Sequence, residues 1–286
     1  MTTPTGITTS VAAESWHPTT VYLQADEFAP NALVLQVTDV AGDVDGDDAI
    51  CKVPFIRDSG EIGVGATVKR ELEPLDDERP ELAEVEIRTV KVGRLATVSN
   101  EQFRKEATAT QLAMSFSRDI TRRADIAFLD GIADKITGLR HVEGTTKAAS
   151  PVSGDLDGLV DLIAELEAAG SHPSHILLDP RSWASLRKLK VADGHNDTLL
   201  ASGADDTKPQ LLGLPVLRSP FLTLGQGIVI DRTEIVSAVG QVRIGQSEHA
   251  AFQADGVVVR ATLRFGWSIP RPSRIGVFTV GTGGKK

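Results

Sequence analysis

Apolar and polar positions along the 286-residue chain change their period several times, and each change marks a predicted element. From Ala49 to Ser99 the period is two, that of half-buried strands. "AICKVPFI" reads as one strand, and "EIGVGATVKREL" as a second run interrupted by Gly63 and Gly65. "LAEVEIRTVKVGRLATVS" reads as a longer strand, with Val85 and Ile87 in one phase and Val90 and Val92 in the other. That switch predicts a bulge or a strong local twist. Between the last two runs, "EPLDDERP" has the prolines and acids of an exposed tip. From Glu71 to Glu86 there are eight acidic residues and one arginine, Arg79. Such a segment builds no core, so a long hairpin reaching into solvent or onto a partner is predicted.

After Ser99 the period becomes helical. Ser99 and Gln102 have capping-box spacing. Phe103, Ala107, Ala113, Met114, Phe116, Ile120, Ala124, Ala127 and Phe128 fall within one wide arc, with Arg104, Gln111, Ser115, Arg118 and Arg122 opposite. Gly131 is the predicted stop. About 30 helical residues would make a rod of roughly 45 Å. Before the strands, the first 45 or so residues show little periodicity. Two short strand-like runs split by Pro30 predict an extended arm that lies against something other than its own domain, such as another subunit.

Beyond Gly131, a Gly/Thr-rich connection from Gly138 to Gly154 is the predicted boundary between subdomains. "DLDGLVDLIAELEAAG" is a second amphipathic helix, "SHILLDP" a short buried strand, and "RSWASLRKLKVADG" a third helix ended by Gly194. "HNDTLLASGADDTKP" reads as a polar loop and "QLLGLPVLRSP" as a turn feeding a strand. "GQGIVIDR", "GQVRIGQSE", "VVVRATLRFGWSIPRP" and "IGVFTV" supply the remaining strands, and "GTGGKK" a flexible tail. Helices and strands alternate without a βαβ rhythm, which predicts a mixed α+β class.

Composition narrows what such a fold can do. The net charge is −9, from 39 acidic and 30 basic side chains, which argues against a dedicated nucleic-acid binder. The single cysteine, Cys51, permits neither an intrachain disulfide nor a thiolate zinc site. No secretory signal or membrane-length apolar run is present, so a soluble protein made in a reducing cytoplasm is expected.

Candidate chemistry is sparse. "GDVDGDD" (Gly42 to Asp48) has the acids of a calcium loop but the wrong glycine position, and Pro54 stands where the closing acid belongs. It is read as an acidic linker. His172, His175 and Asp179 could ligate a metal, but Pro173 breaks a helical face and no further ligand motif accompanies them. Turn residues are the preferred reading. There is no G-x-S-x-G elbow, and "GTGGKK" lacks phosphate-loop spacing. Arg118, Arg122 and Arg123 could meet phosphates, but interleaved Asp119 and Asp125 favour a solvated face or salt bridges to a neighbour. No catalytic residue, cofactor or metal is expected.

The order of arm, acidic hairpin, long helix and compact α+β region resembles the major capsid proteins of tailed bacteriophages, with the Hong Kong 97 fold. "VKVGRLATVSNEQFRKEATATQLAMSFSRDITRRADIAFLDG" is similar to that family's strand leading into its spine helix. "ILLDPRSWASLRKLKVADGHNDTLL", "PQLLGLPVLRSP" and "VRATLRFGWSIPRPSRIGVFTV" resemble its strand-to-helix segment, strand entry and closing strands, in the family's order. The resemblance implies an N-arm over residues 1–48. It implies a P-domain beginning over 49–150, with an E-loop hairpin at 55–88 and the spine helix at 99–131. An A-domain would follow at 151–257, a return to the P-domain at 258–280, and a tail at 281–286. The loop from His195 to Lys208 would point at the capsomer centre.

What the resemblance implies for function is a shell subunit that assembles with itself into hexamers and pentamers enclosing double-stranded DNA. Separate scaffold, portal and decoration proteins are the further partners, with only non-specific proximity to DNA and no membrane. An arm of this length is not expected to include the scaffolding region that some members carry. Covalent crosslinking of the kind some members perform from an E-loop lysine, for which Lys69 is available, is not expected. The asparagines are Asn31, Asn100 and Asn196, none of them in the closing strands. Charge complementarity should serve instead. Glu73, Asp76, Asp77 and Glu78 are expected to meet Arg118, Arg122 and Arg123, or Arg187, Lys188 and Lys190, on the next subunit. An encapsulin nanocompartment shell and, more distantly, a soluble α+β enzyme remain open as alternatives.

Overall fold

Two β-sheets share one core with a long helix between them. The structure, a computed structural model, describes residues 20–56, 82–133, 135–189 and 209–281. Strand β1 (Thr20–Leu23) leads into two short helices, α1 (Ala25–Phe28) and α2 (Leu33–Val37), and then into β2 (Asp39–Val44). Of the two strand-like runs expected around Pro30, only the first is a strand. Leu33, Val34 and Val37 are the buried positions of the second. That i, i+1, i+4 set occupies one face of a helix but both faces of a strand. The segment also packs within its own chain. Phe28, Ala29, Ala32, Leu33, Val34 and Val37 sit in the main core of their own chain.

Strand β3 (Ile50–Ile56) pairs antiparallel with the first part of β4 (Leu82–Ser99), from Ile50 opposite Arg88 to Ile56 opposite Leu82. From Thr89 onward the partner of β4 is β14 (Gly256–Ser268), ending with Ser99 opposite Gly256. The expected bulge is absent: the register runs unbroken along both partners. The change of phase has a different cause. Ile87 packs in a small cluster with Val44, Val53, Val236 and Ala238, whereas Val90 and Val92 point from the opposite face into the main core. The two ends of one continuous strand therefore bury opposite faces.

The predicted rod is broken near its start. Ser99 Oγ accepts from the Gln102 amide at 3.4 Å and caps a single turn, α3 (Asn100–Phe103). That turn is tied to the entrance of β14 by the Asn100 amide and side chain on Asp255. Lys105 is extended (φ −81°, ψ 118°), and the main helix, α4 (Glu106–Asp130), begins after it. Its 25 residues make a rod of about 38 Å rather than 45 Å. Phe116, Ile120, Ala124, Ala127 and Phe128 are buried as the periodicity predicts, but Met114 is 59 % exposed. Gly131 ends the helix at φ +79°, and a Cβ there would lie 2.4 Å from the Gly138 nitrogen. No residue other than glycine fits that close approach.

A two-stranded ribbon, β5 (Gly131–Ile132) with β6 (Ile136–Thr137), precedes the crossing to the second sheet. The predicted boundary segment, 138–154, is packed along its length. Leu139 is fully buried in the main core, and β7 (Thr146–Lys147) pairs with β15 (Gly276–Thr279). Helix α5 (Asp157–Ala168), β8 (His175–Leu178) and α6 (Pro180–Leu186) follow, then β9 (Gln210–Leu211), β10 (Leu214–Arg218) and β11 (Gln226–Ile230). The expected helix end at Gly194 lies outside the described residues. Leu212 and Gly213, both at positive φ (51° and 81°), form the two-residue turn between β9 and β10.

The second sheet has the order β7-β15-β11-β8-β10-β9. Alternation divides its side chains. Leu177, Ile228 and Ile230 face the main core. Ile176, Leu178, Val229 and Phe278 face a second core made with Leu159, Leu162 and Leu166 of α5 and Trp183 and Leu186 of α6. The first sheet has the order β1-β13-β14-β12-β2, with β12 (Val236–Gly240) and β13 (Val242–Ala251), and with β4 joined to β14 and β3 to β4. Strands β12, β13 and β14 thus belong to one sheet, while the last strand, β15, belongs to the other. Trp267 of β14 holds the centre, 5.2 Å edge-on to Phe128 of α4 and 5.9 Å from Phe265.

Candidate assembly surfaces

Carboxylates and histidines that could have served as ligands are engaged as staples. Asp179 caps α6, accepting from the Arg181 and Ser182 amides at 2.8 and 3.1 Å. Burial works to raise its pKa, but hydrogen bonds from Ser182, Arg181 and Gly225 outweigh it, leaving the carboxylate below its ordinary value. Asp231 accepts from the His172 amide at 2.6 Å and from Ser171 Oγ at 3.1 Å. His175 Nδ1 meets Ser174 Oγ at 3.0 Å, and burial, then the nearby Arg232, depress its pKa. Among the described residues, no three His, Cys, Asp or Glu side chains converge on a metal position. "GDVDGDD" is not a linker: its first residues form β2, and Asp47 Oδ1 pairs with Lys91 Nζ at 2.8 Å.

A buried ion cluster went unseen in the sequence. Glu234, 3 % exposed, accepts from Arg271 Nε at 2.8 Å and Arg274 Nη1 at 2.7 Å. The Arg274 Nε donates to the Ala169 carbonyl at 3.1 Å, and the Arg271 guanidinium lies 5.4 Å from the Phe55 ring centroid. The cluster clamps the root of the hairpin, the end of α5 and the turn between the sheets. Its members are far apart in sequence, so no local spacing reveals it.

The three arginines singled out on the long helix have different surroundings. All are exposed on α4. Arg122 sits over the Phe221 ring at 5.6 Å and is already engaged within the chain. Arg118 lines a groove with Gln111, Met114 and Ser117. The interleaved aspartates have separate tasks. Asp119 Oδ2 pairs with Arg94 Nε at 3.2 Å. Asp125 Oδ1 accepts from the Leu33 amide at 2.8 Å and so holds α2 against α4. Ser117 Oγ donates to the Phe28 carbonyl at 2.6 Å one turn and more away. Burial pushes the Asp125 pKa up to about 6, against which its bond from Leu33 works. The acidic residues expected opposite these arginines, Glu73, Asp76, Asp77 and Glu78, and Lys69 with them, lie outside the described residues, as does Lys190. Arg187 and Lys188 are exposed just beyond α6.

No helix is long and apolar enough to cross a membrane among the described residues. What the molecule offers is surface, with large apolar side chains such as Met114, Leu95, Tyr22 and Val160 exposed on it. The fold is that of subunits of capsid shells. One chain of Gordonia phage Cozz superposes with a TM-score of 0.65 at 18 % identity, covering 88 % of this chain and 87 % of that one. A capsid chain of the empty GTA particle gives 0.65 at 18 % identity over 97 % and 100 %. A chain of Microbacterium phage Oxtober96 gives 0.65 at 12 % identity over 87 % and 91 %. No curated protein sequence matches. The sequence pattern of the phage capsid family matches residues 36–280, and the chain belongs to that family. It is a shell-forming phage capsid subunit, and the nanocompartment alternative is not favoured.

Proposed function

We propose that the chain assembles with itself into hexamers and pentamers of an icosahedral phage head enclosing double-stranded DNA. The family match over residues 36–280 carries this reading. In this reading residues 1–48 are the N-arm, 55–88 the E-loop and 99–131 the spine region, with the P-domain body in the first sheet. The A-domain occupies 151–257 in outline, and the sheet membership of β12, β13 and β15 suggests that strands of the two domains interleave. Scaffold, portal and decoration proteins are its partners in the virion, and contact with packaged DNA is non-specific.

Shell assembly asks for large, charge-complementary area between subunits rather than a reactive group. The hairpin suits it. Strand β4 runs past the end of its pairing with β14 into a stem with β3. In sequence, Lys69, Glu73, Asp76, Asp77 and Glu78 fall between the two strands of that stem. On this proposal they meet Arg118, Arg122 and Arg123 of the adjacent subunit. Electron microscopy and light scattering of the purified chain test the reading: shells or capsomers are expected, and a stable monomer at high concentration would overturn it. Neutralising Glu73, Asp76, Asp77 and Glu78 together should impair assembly, and unchanged shell yield would sink the hairpin contact alone.

A further inference from the structure

Helices α5 and α6 cover the same face of the second sheet, packed on one core. They sit toward opposite ends of its strand order. Helix α5 packs over β7 and β15 at one end, whereas α6 lies in the connection from β8 to β9 and β10 at the other. Their outward stripes carry opposite charge. On α5 the exposed positions are Asp157, Val160, Asp161, Ala164, Glu165, Glu167 and Ala168. On α6 and the turn that continues it they are Pro180, Arg181, Ala184, Arg187 and Lys188, with half-buried Ser185 between. Arg218 is exposed at the end of β10, paired in register with Leu178 just before α6.

Neither stripe suits an isolated subunit. Asp157, Asp161 and Glu165 are four residues apart, a spacing at which like charges weaken a helix. Glu165 and Glu167 lie toward the carboxyl end of α5, where the helix dipole favours cations, and that last turn has no basic residue. The cation that reaches this end, Arg274, is committed to Glu234. Arg181 stands in the first turn of α6, the end that favours anions. None of Asp157, Asp161, Glu165, Glu167, Arg181, Lys188 or Arg218 has a side-chain ion pair among the described residues.

We infer that the α5 stripe of one subunit docks on the α6 stripe of the next, so that the pair forms a head-to-tail contact within the capsomer ring. The inference rests on the shell reading and names a contact surface for it. Because one copy carries both halves at different places, the contact is heterologous, and repeated use closes a ring when the rotation permits. Small side chains at the middle of both stripes, Val160 and Ala164 against Ala184 and Ser185, let the helices approach. The flanking charges then pair across the contact.

The test is a charge exchange in the full chain. Asp161→Lys with Glu165→Lys reverses α5, and Arg181→Glu with Lys188→Glu reverses α6. Each pair alone should lower the yield of rings and shells by about tenfold or more, the effect of one lost factor of ten per interface. Circular dichroism should show both variants folded. All four changes together should restore assembly. Particle formation by either single-side variant at the unaltered yield overturns the inference. So does failure of the fourfold variant to recover while remaining folded, which would assign these faces to a different partner. If the unaltered chain itself forms no particles, the shell reading fails first, and the two failures are told apart.

Discussion

Asp125→Asn isolates the cost of one buried charge. The carboxylate sits between α4 and α2, accepting the Leu33 amide at 2.8 Å, and burial lifts its pKa from 3.8 to about 6. No neighbouring charge contributes to that shift. An acid whose folded pKa is raised holds its proton more tightly when folded. Its stabilising contribution is therefore complete below about 3.8 and is lost as pH rises through about 6. The difference of roughly two pKa units corresponds to about 3 kcal/mol at neutral pH, and partial solvent access reduces this to about 2 kcal/mol. Asparagine keeps the acceptor oxygen for Leu33 and removes the charge. The variant should be more stable than the parent by about 2 kcal/mol at pH 7.5 and by about half that at pH 5. Urea unfolding of unassembled subunit, followed by the fluorescence of buried Trp183 and Trp267, measures both. An Asn variant no more stable at pH 7.5, or a difference that does not shrink toward pH 5, would refute the reasoning.

Two further outcomes follow from the geometry. Glu234→Ala takes the carboxylate from beneath Arg271 and Arg274, and breaking one side of a buried ion cluster costs about 3–5 kcal/mol, read as a lowered urea midpoint with a smaller loss for Glu234→Gln. Leu212 holds φ +51° while 44 % exposed, so Leu212→Asn should stabilise by about 1 kcal/mol in thermal melts, because asparagine tolerates that backbone and little packing is lost.

Local pattern was enough for many elements because their cause is local. The capped turn after Ser99, the stop at Gly131 and the buried arc through Phe116, Ile120 and Phe128 were legible in spacing alone. So were β8, β10, β11 and β14, where alternating Val, Ile and Leu leave little choice. The run "LVLQV" was misread because five residues of which four are aliphatic satisfy either period. Met114 was misplaced because a helical wheel says which residues share an arc but not how far the covering sheet extends. Of the expected assembly residues, Arg118, Arg122 and Arg123 stand on the helix as read, yet one of them is occupied by Phe221, a ring 99 positions away in the chain.

Sequence by itself determined most element types, the acidic character of residues 71–86, the absence of a disulfide framework and the kinship to capsid subunits, since these depend on composition, period and order. Tertiary structure decided which sheet each strand joins, which face of β4 is buried at each end, and what each charge meets. Those outcomes depend on contacts between distant segments. Glu234 finds Arg271 and Arg274, and Asp125 finds the Leu33 amide, only once two sheets have closed on α4 and excluded water from the space between. Burial then turns an ordinary aspartate into an acid with a pKa near 6.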